Sequence, residues 1–458
     1  MMENNIKIQD NELYEIHNRN NEIVKDKIIK SETIKNVASE NKKNEIKTLY
    51  SIAVGSEFTD NKKSTKEDTR GLSRNIKTDY IYRFISSFNL TGAIWVLYLS
   101  YKGMSLGQIG LLEGFFHIIS FFFEVPTGAM ADLVGRKRTI IFGRLSAVLS
   151  GFLMITSNHF WGYCLAFAFS ALSYNLNSGS EEALVYDSLK KLKREKEFLK
   201  INGRLNFIQE AASGFASFLG GIIAEISYFY AYTAGMIISV TALFNGSFFH
   251  EPKALLDREN REKSTVRKHF ITCVAVFKQN KPVRRVLIFY PVVTAFATAT
   301  YFYGQQHLYN LGLNKIQISF VILLSGIFAS FGALSAEKFS RMFGEKEKYI
   351  GASGLAVFIA AFGLNHTYMA ITAFLIQSFF GSLLYPISSN ALNQLIPSAQ
   401  RATIISVSSV MFSAAMIVIF PICGFIGDYI GLGKVFYILG VLILIFQIWF
   451  IGKLKAKG

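Results

Sequence analysis

Glu113, His117, Ser120 and Glu124 are spaced four, three and four residues apart. At about 100° per residue, that spacing places all four on one narrow stripe of a helix. Phe, Ile and Leu fill its other faces. The chemistry such a stripe offers is proton handling. A desolvated carboxylate keeps its proton to higher pH, and histidine titrates near neutrality unaided. Two acids at different depths, Glu113 towards one side and Glu124 towards the other, can load a proton on one side of a barrier and release it on the other. The plainer reading is a row of hydrogen bonds that fixes helix packing. Asn206, Glu210, Ser213 and Ser217, with Gln209 adjacent, form a second stripe. Asn177, Glu181 and Glu182 cluster between these two, and Arg144 is the one clear basic residue at comparable depth. It is expected to neutralise one of the acids, with Glu181 the candidate partner. Later in the chain the polar residues are uncharged: Tyr290, Thr294, Thr298, Tyr301 and Gln305 on one segment, then Gln377, Tyr385, Ser389, Asn390 and Asn393 on another.

The elements that carry these residues are long apolar runs. Only 17% of the 458 residues are charged and 51% are hydrophobic, whereas a soluble domain carries roughly 25% charge. From Tyr80 onward the runs repeat at close to the roughly 20 residues that cross a bilayer core. The expected fold is an all-α membrane protein of twelve spans, near 80–101, 106–127, 139–157, 160–185, 203–225, 228–249, 284–308, 316–337, 349–365, 368–392, 402–426 and 433–452. A charge at bilayer depth costs at least about 2.5–3.5 kcal/mol, so each buried acid needs a reason to be there.

Lys and Arg set the expected orientation. Arg136, Lys137 and Arg138 lie between spans 2 and 3, and Lys190, Lys191, Lys193, Arg194, Lys196 and Lys200 between spans 4 and 5. The opposite loops hold little beyond Lys102, Lys315 and Lys434, so both termini are expected in the cytoplasm. Trp95 and Trp161 are expected near the outer interface and Trp449 near the inner one. The net charge of +16 sits largely in these loops, which speaks against nucleic acid as a partner. Four regions follow: a polar, disordered cytoplasmic tail (1–75), a six-helix half (76–249), a cytoplasmic linker (250–283) and a second six-helix half (284–458). In the linker, Val266, Phe270, Val274 and Phe277 repeat at helical spacing beside Arg267, Lys268 and Lys278, as in a helix lying on the inner leaflet. Cys164, Cys273 and Cys423 are scattered and show neither metal spacing nor a disulfide framework.

The loop between spans 2 and 3 runs from Gly128 through Asp132 and Gly135 to Arg136, Lys137 and Arg138. It resembles the signature loop of the major facilitator superfamily, with Leu133 where that family usually has a basic residue. Gly332, Glu337, Lys338 and Gly344 echo it weakly in the second half. The resemblance covers the chain from about residue 78 onward and implies two related six-helix halves. On physical grounds Gly128 would let its helix approach a neighbour closely, and Gly135 would permit a tight turn. Asp132 would sit near the N-terminus of span 11, and Arg136 would pair with Glu182 or Asp187. Such contacts would hold the halves together on the inside and break when that side opens; a plain topogenic loop is the alternative. The runs Glu124 to Gly128 and Ser178 to Ser188 look like those of a tetracycline- and multidrug-efflux-like subgroup, which implies proton-driven export. Span 5 departs from the usual antiporter pattern, having Gly214, Gly220 and Gly221 but no Gly-Pro pair. That leaves direction open.

The expected function is therefore secondary transport across the inner membrane by a multi-pass monomer. The proton is the coupling ion, with no cofactor or metal. An acidic first half facing an aromatic second half favours export of an amphiphilic drug-like molecule; import of a small peptide or sugar is the alternative. A non-transporting receptor working through residues 1–75 is a third possibility. No phosphate-cradling loop or nucleophile motif is present, so neither ATP coupling nor enzymatic activity is expected.

Overall fold

The computed structural model describes residues 69–252, 280–395 and 401–455, all of it helices and their short connections. Thirteen helices follow in chain order among the described residues. They are α1 (69–86), α2 (Trp95–Tyr101), α3 (Leu106–Val134), α4 (Arg136–Thr156), α5 (Phe160–Lys191), α6 (Phe198–Ile226) and α7 (Tyr228–Gly246). After the linker come α8 (Lys281–Asn310), α9 (Lys315–Phe343), α10 (Glu347–Phe362), α11 (Thr367–Leu395), α12 (Arg401–Ile430) and α13 (Leu432–Lys455). Eleven of the twelve stretches read from the sequence as spans fall on a helix for most of their length, and the first is broken in its middle. Eight spans among the described residues are long and apolar enough to cross a membrane, and one of them, Lys315–Phe362, takes in both α9 and α10.

Local chemistry sets the helix ends. Ser105 and Gln108 form a reciprocal capping box at the start of α3, as do Asn314 and Gln317 at the start of α9. Gly135, at φ +105°, makes the sharp turn between α3 and α4 that its position promised. The carboxylate of Glu251 then accepts the backbone N–H groups of Arg136 (2.9 Å) and Lys137 (2.8 Å), so an acid from beyond α7 caps α4.

Two sequence boundaries are corrected. The helix of span 1 is already formed at residue 69, well before 80, and residues 69–75, assigned to the tail, belong to it. Asn75 is fully buried and donates to Ser188 Oγ (2.9 Å) and the His250 carbonyl (2.7 Å), which ties α1 to α5 and to the end of α7. Residues 1–68 and the proposed surface helix of the linker lie outside the described residues.

Span 1 is also not one helix. Residues 87–94 leave helical geometry between α1 and α2. Asn89 Oδ1 accepts from the N–H (3.1 Å) and hydroxyl (3.0 Å) of Thr91, a local bond that competes with the helix ladder. The break rests on α6, where any Cβ at Gly220 would collide with the Leu90 carbonyl. Across the molecule, Gln305 of α8 donates to the Gly92 carbonyl at 3.2 Å. Irregular backbone at membrane depth is tolerated only where protein or a cavity surrounds it, and this segment has both.

Helices pack in two groups. In the first half α4 packs on α5 and α7, and α5 on α3; in the second α11 packs on α9 and α10, and α10 on α13. The halves meet along two seams, α3 against α12 and α6 against α9. Small residues allow the first: a Cβ on Gly110 would come within 2.7 Å of Pro421 Cα.

Candidate functional site

Glu113 is 9% exposed and lines a cavity of about 340 Å³. The walls of this cavity include the broken segment after α1, Phe116, Phe167 and Arg144, with Phe302 contributed by α8. His117, one turn along α3, lies 3.5 Å from Glu113 Oε1 and reaches Ser413 of α12 at 3.3 Å. Ser120 donates to Asn175 Oδ1 of α5 at 2.7 Å, and the Asn175 amide returns a bond to the Ser120 carbonyl at 2.8 Å. Glu124 is half-buried at the far end of the stripe. Eleven residues separate it from Glu113, about 16 Å along the helix axis. The stripe thus carries an acid–histidine pair on a cavity, a hydrogen-bonded middle and a second acid well away from the first.

Glu181 belongs to a separate cluster. Its Oε1 receives Arg144 Nη2 at 2.7 Å and the Tyr82 hydroxyl at 2.9 Å, while Oε2 lies 3.5 Å from Arg83 Nη1. Arg144 Nε also donates to Tyr82 at 2.6 Å. Arg83 in turn faces Asp79 at 3.5 Å, and Asp79 is 1% exposed. The Arg144–Glu181 pair is the one expected from the sequence. Arg144 is not the only basic residue at this depth, however: sequence reasoning misses Arg83 and Asp79 on α1. Their i,i+4 spacing is visible, but a span that starts at residue 80 leaves Asp79 outside it.

A larger cavity of about 800 Å³ lies between the halves, walled by α6, α8, α9 and α11. Glu210, Ser213 and Ser217 of α6 face Thr294, Thr298 and Tyr301 of α8 across it, with Gln377 from α11. The groups read on spans 5 and 7 therefore meet in part, whereas on span 10 Gln377 joins them and Tyr385 and Ser389 are exposed. Tyr301 also stacks on Phe374 with ring centroids 6.0 Å apart. Asn206 and Asn390 are exposed. Gln305 is fully buried and donates to the Gly92 carbonyl, a tie between the halves, while its own side-chain oxygen has no hydrogen-bond partner among the described residues.

Corrections concentrate in the signature loop. Gly128 has open space where a Cβ would project, so it permits no close helix approach; Gly107, Gly110 and Gly114 do that against α12. Arg136 pairs with Asp187 at 3.6 Å, one of the two partners expected, and this bond joins α4 to α5 within the first half. Glu182 accepts from Asn202 at 3.2 Å instead. Lys137 is half-buried and Arg138 exposed. The side chain of Asp132 lies outside the described residues. Trp95, expected at the outer interface, sits in an aromatic cluster with Phe167 (5.7 Å), Phe302 (5.3 Å) and Phe420 (6.3 Å). Between α5 and α6, Arg194 meets Glu197 bidentately at 2.6 and 2.7 Å, which holds the Glu197 carboxyl below its usual range.

Among the described residues, a set of ties joins the halves at the end that the Lys and Arg bias assigns to the outside. Asp428, at the end of α12, accepts the N–H groups of Leu106 (2.9 Å) and Gly107 (2.8 Å) at the start of α3. Tyr303 donates to the Leu106 carbonyl at 2.9 Å. Lys315 reaches Glu225 at 3.9 Å and donates to the Ala224 carbonyl at 2.8 Å. Sequence does not single these groups out, because their partners lie on the other half.

Two packed helical halves, a discontinuous first span and a cavity between the halves define a membrane transporter of the secondary type. A sequence model of the Major Facilitator Superfamily matches residues 80–364 and 308–457, and the chain belongs to that family. It is 25% identical over 367 residues to the uncharacterized MFS-type transporter YxaM of Bacillus subtilis, covering 77% of this chain and 88% of that one. An uncharacterized MFS-type transporter of Methanocaldococcus jannaschii is 20% identical over 381 residues, covering 80% and 94%. Among solved structures, a mutant of the nucleoside transporter NupG superposes with a TM-score of 0.71 at 14% identity, over 82% of this chain and 99% of that one. A D-xylose–proton symporter gives 0.62 at 13% identity, over 83% and 94%.

Proposed function

We propose that this chain is a proton-coupled importer of a small polar solute in the cell membrane, with twelve spans and both termini in the cytoplasm. The observation that carries the proton assignment is the placement of Glu113 on a cavity, buried in protein, instead of facing acyl chains. Charge balance singles it out further. Asp79 and Glu181 are matched by Arg83 and Arg144, so that cluster is neutral when fully ionised. Among the described residues, the ion-pair partner of Glu113 is His117. An acid with no fixed counter-charge is the group that gains most from binding a proton when its cavity is dry, and loses it when water enters. The Glu113–His117 pair thus carries one movable proton, and Glu124, deeper on the same stripe, is its onward acceptor.

The cargo site is the cavity between the halves. Its volume lies within the usual 300–1,000 Å³ range of small-molecule sites. Hydroxyls and an amide distributed over apolar walls suit a neutral or cationic polar solute. The case for export rests on acids without basic counterparts, and Arg83 and Arg144 remove that contrast within the first half. Export of an amphiphilic cation is the second reading; Glu210 beside Phe207 and Tyr301 favours it.

The test is a panel of nucleosides, pentoses, small peptides and amphiphilic cations offered to proteoliposomes with a trapped pH dye. A symported solute added outside acidifies the lumen, whereas an exchanged one alkalinises it. If the cargo that is transported moves with no proton signal, proton coupling is refuted.

A further inference from the structure

Two cavities walled mainly by the first half meet at one side chain. One is the 340 Å³ cavity that holds Glu113 and Arg144. The other, about 650 Å³, lies at the outer end among Tyr98, Tyr101, Tyr228 and Tyr309, with Lys102 and Lys315 at its rim. Tyr232 is the one residue common to both linings. Its ring packs against Tyr98, tilted by 39° with centroids 4.2 Å apart, so the two rings together form the partition.

The polar groups around the partition are not equivalent. Tyr98 is committed to the Met154 carbonyl at 2.7 Å, and Tyr163 to the Ser157 carbonyl at 2.7 Å. The Tyr232 hydroxyl is buried and has no hydrogen-bond partner among the described residues. Burying a hydroxyl unpaired is unfavourable, and a position between two cavities gives it polar space to turn towards. Behind it on α7, Gly235 and Ser239, whose hydroxyl donates to the Gly235 carbonyl at 3.1 Å, line the inner cavity on the way to Glu113. The ties at Asp428 and Lys315 close the seam between the halves. The cargo cavity, with Glu210, shares no lining residue with the cavity of Glu113.

We propose that Tyr232 plugs a second route, running from the outer surface to Glu113 between walls supplied mainly by the first half, that admits protons but not cargo. The route rests on the reading of Glu113 as the coupling acid. It lets that acid meet the outer proton reservoir without parting the halves. Arg144 in the same cavity and the two lysines at the rim make the path unfavourable for other cations, while a proton can pass along hydroxyls and water.

The full chain in liposomes, with no cargo, a potassium diffusion potential and a trapped pH dye, reads the plug directly. Tyr232→Ala is expected to raise proton influx several-fold over wild type. Tyr232→Phe, which keeps the ring, stays at the wild-type level. Adding Glu113→Gln to Tyr232→Ala returns influx to background. A leak that survives Glu113→Gln keeps the route and refutes Glu113 as its end, which would fail the proton assignment alone. No rise in Tyr232→Ala overturns the route. Independently of that variant's folding, Tyr232→Cys in a background lacking Cys164, Cys273 and Cys423 is expected to react with a charged, membrane-impermeant thiol reagent added outside. Full protection from that reagent overturns the proposal as well.

Discussion

Glu113 and Glu181 are both acids buried on neighbouring helices, and their surroundings set them different tasks. Glu181 is held by two guanidinium groups and a phenol, so its charge is structural. Breaking a buried pair strands the partner, at a cost of about 3–5 kcal/mol. Arg144→Met is therefore expected to lower the melting temperature in detergent sharply, and Arg144→Met with Glu181→Met to recover much of the loss. A double variant no more stable than the single would show that the pair is not what Arg144 contributes. Glu113→Gln keeps size and hydrogen bonding, so expression and melting should stay near wild type while cargo-linked proton flux disappears. Undiminished flux would remove Glu113 from the mechanism. At this scale the sequence is informative where period alone decides: Glu113, His117 and Ser120 share a face because of their spacing. Arg83 is not legible, because its role depends on Glu181, which lies on another helix far along the chain.

The elements show where a hydropathy pattern stops being informative. Span 1 reads as one apolar run from Tyr80, but an apolar run reveals neither the polar turns of helix before it nor where the main chain unwinds. The signals, Asn89 and Gly92, are single residues, and the decisive partner is Gly220 on α6. Two glycines make a matched test. Any Cβ at Gly220 meets the Leu90 carbonyl, and backbone cannot step aside cheaply. Gly220→Ala is expected to destabilise by about 1–3 kcal/mol, as overpacking does. Gly128, expected from sequence to pack closely, faces open space, and Gly128→Ala should fall within about 0.5 kcal/mol of wild type. Thermal melts of the purified variants compare the two. Equal losses would mean that the seat of the helix break on α6 carries no stability.

For the whole molecule, the two-half plan is legible from apolar run length and the signature loop, whereas the ties between halves are not. Leu106 and Asp428 are 322 positions apart, and neither stands out in its own neighbourhood. The carboxylate of Asp428 caps α3 with two N–H groups from the opposite half, so this bond exists only while the outer end is closed. A helix cap is worth about 0.5–2 kcal/mol, and about 1.4 kcal/mol shifts a two-state equilibrium tenfold. Asp428→Ala is thus expected to enlarge the outer-open population without unfolding either half. Spin labels at the exposed positions Trp161 and Tyr368, one on each half, report the change. The variant should gain a longer-distance population in double electron–electron resonance, and the further variant Lys315→Ala should enlarge it by releasing the α6–α9 seam. Identical distance distributions in wild type and both variants would mean that closure of the outer end is set by helix packing at Gly110 and Pro421, with the polar ties contributing nothing to it.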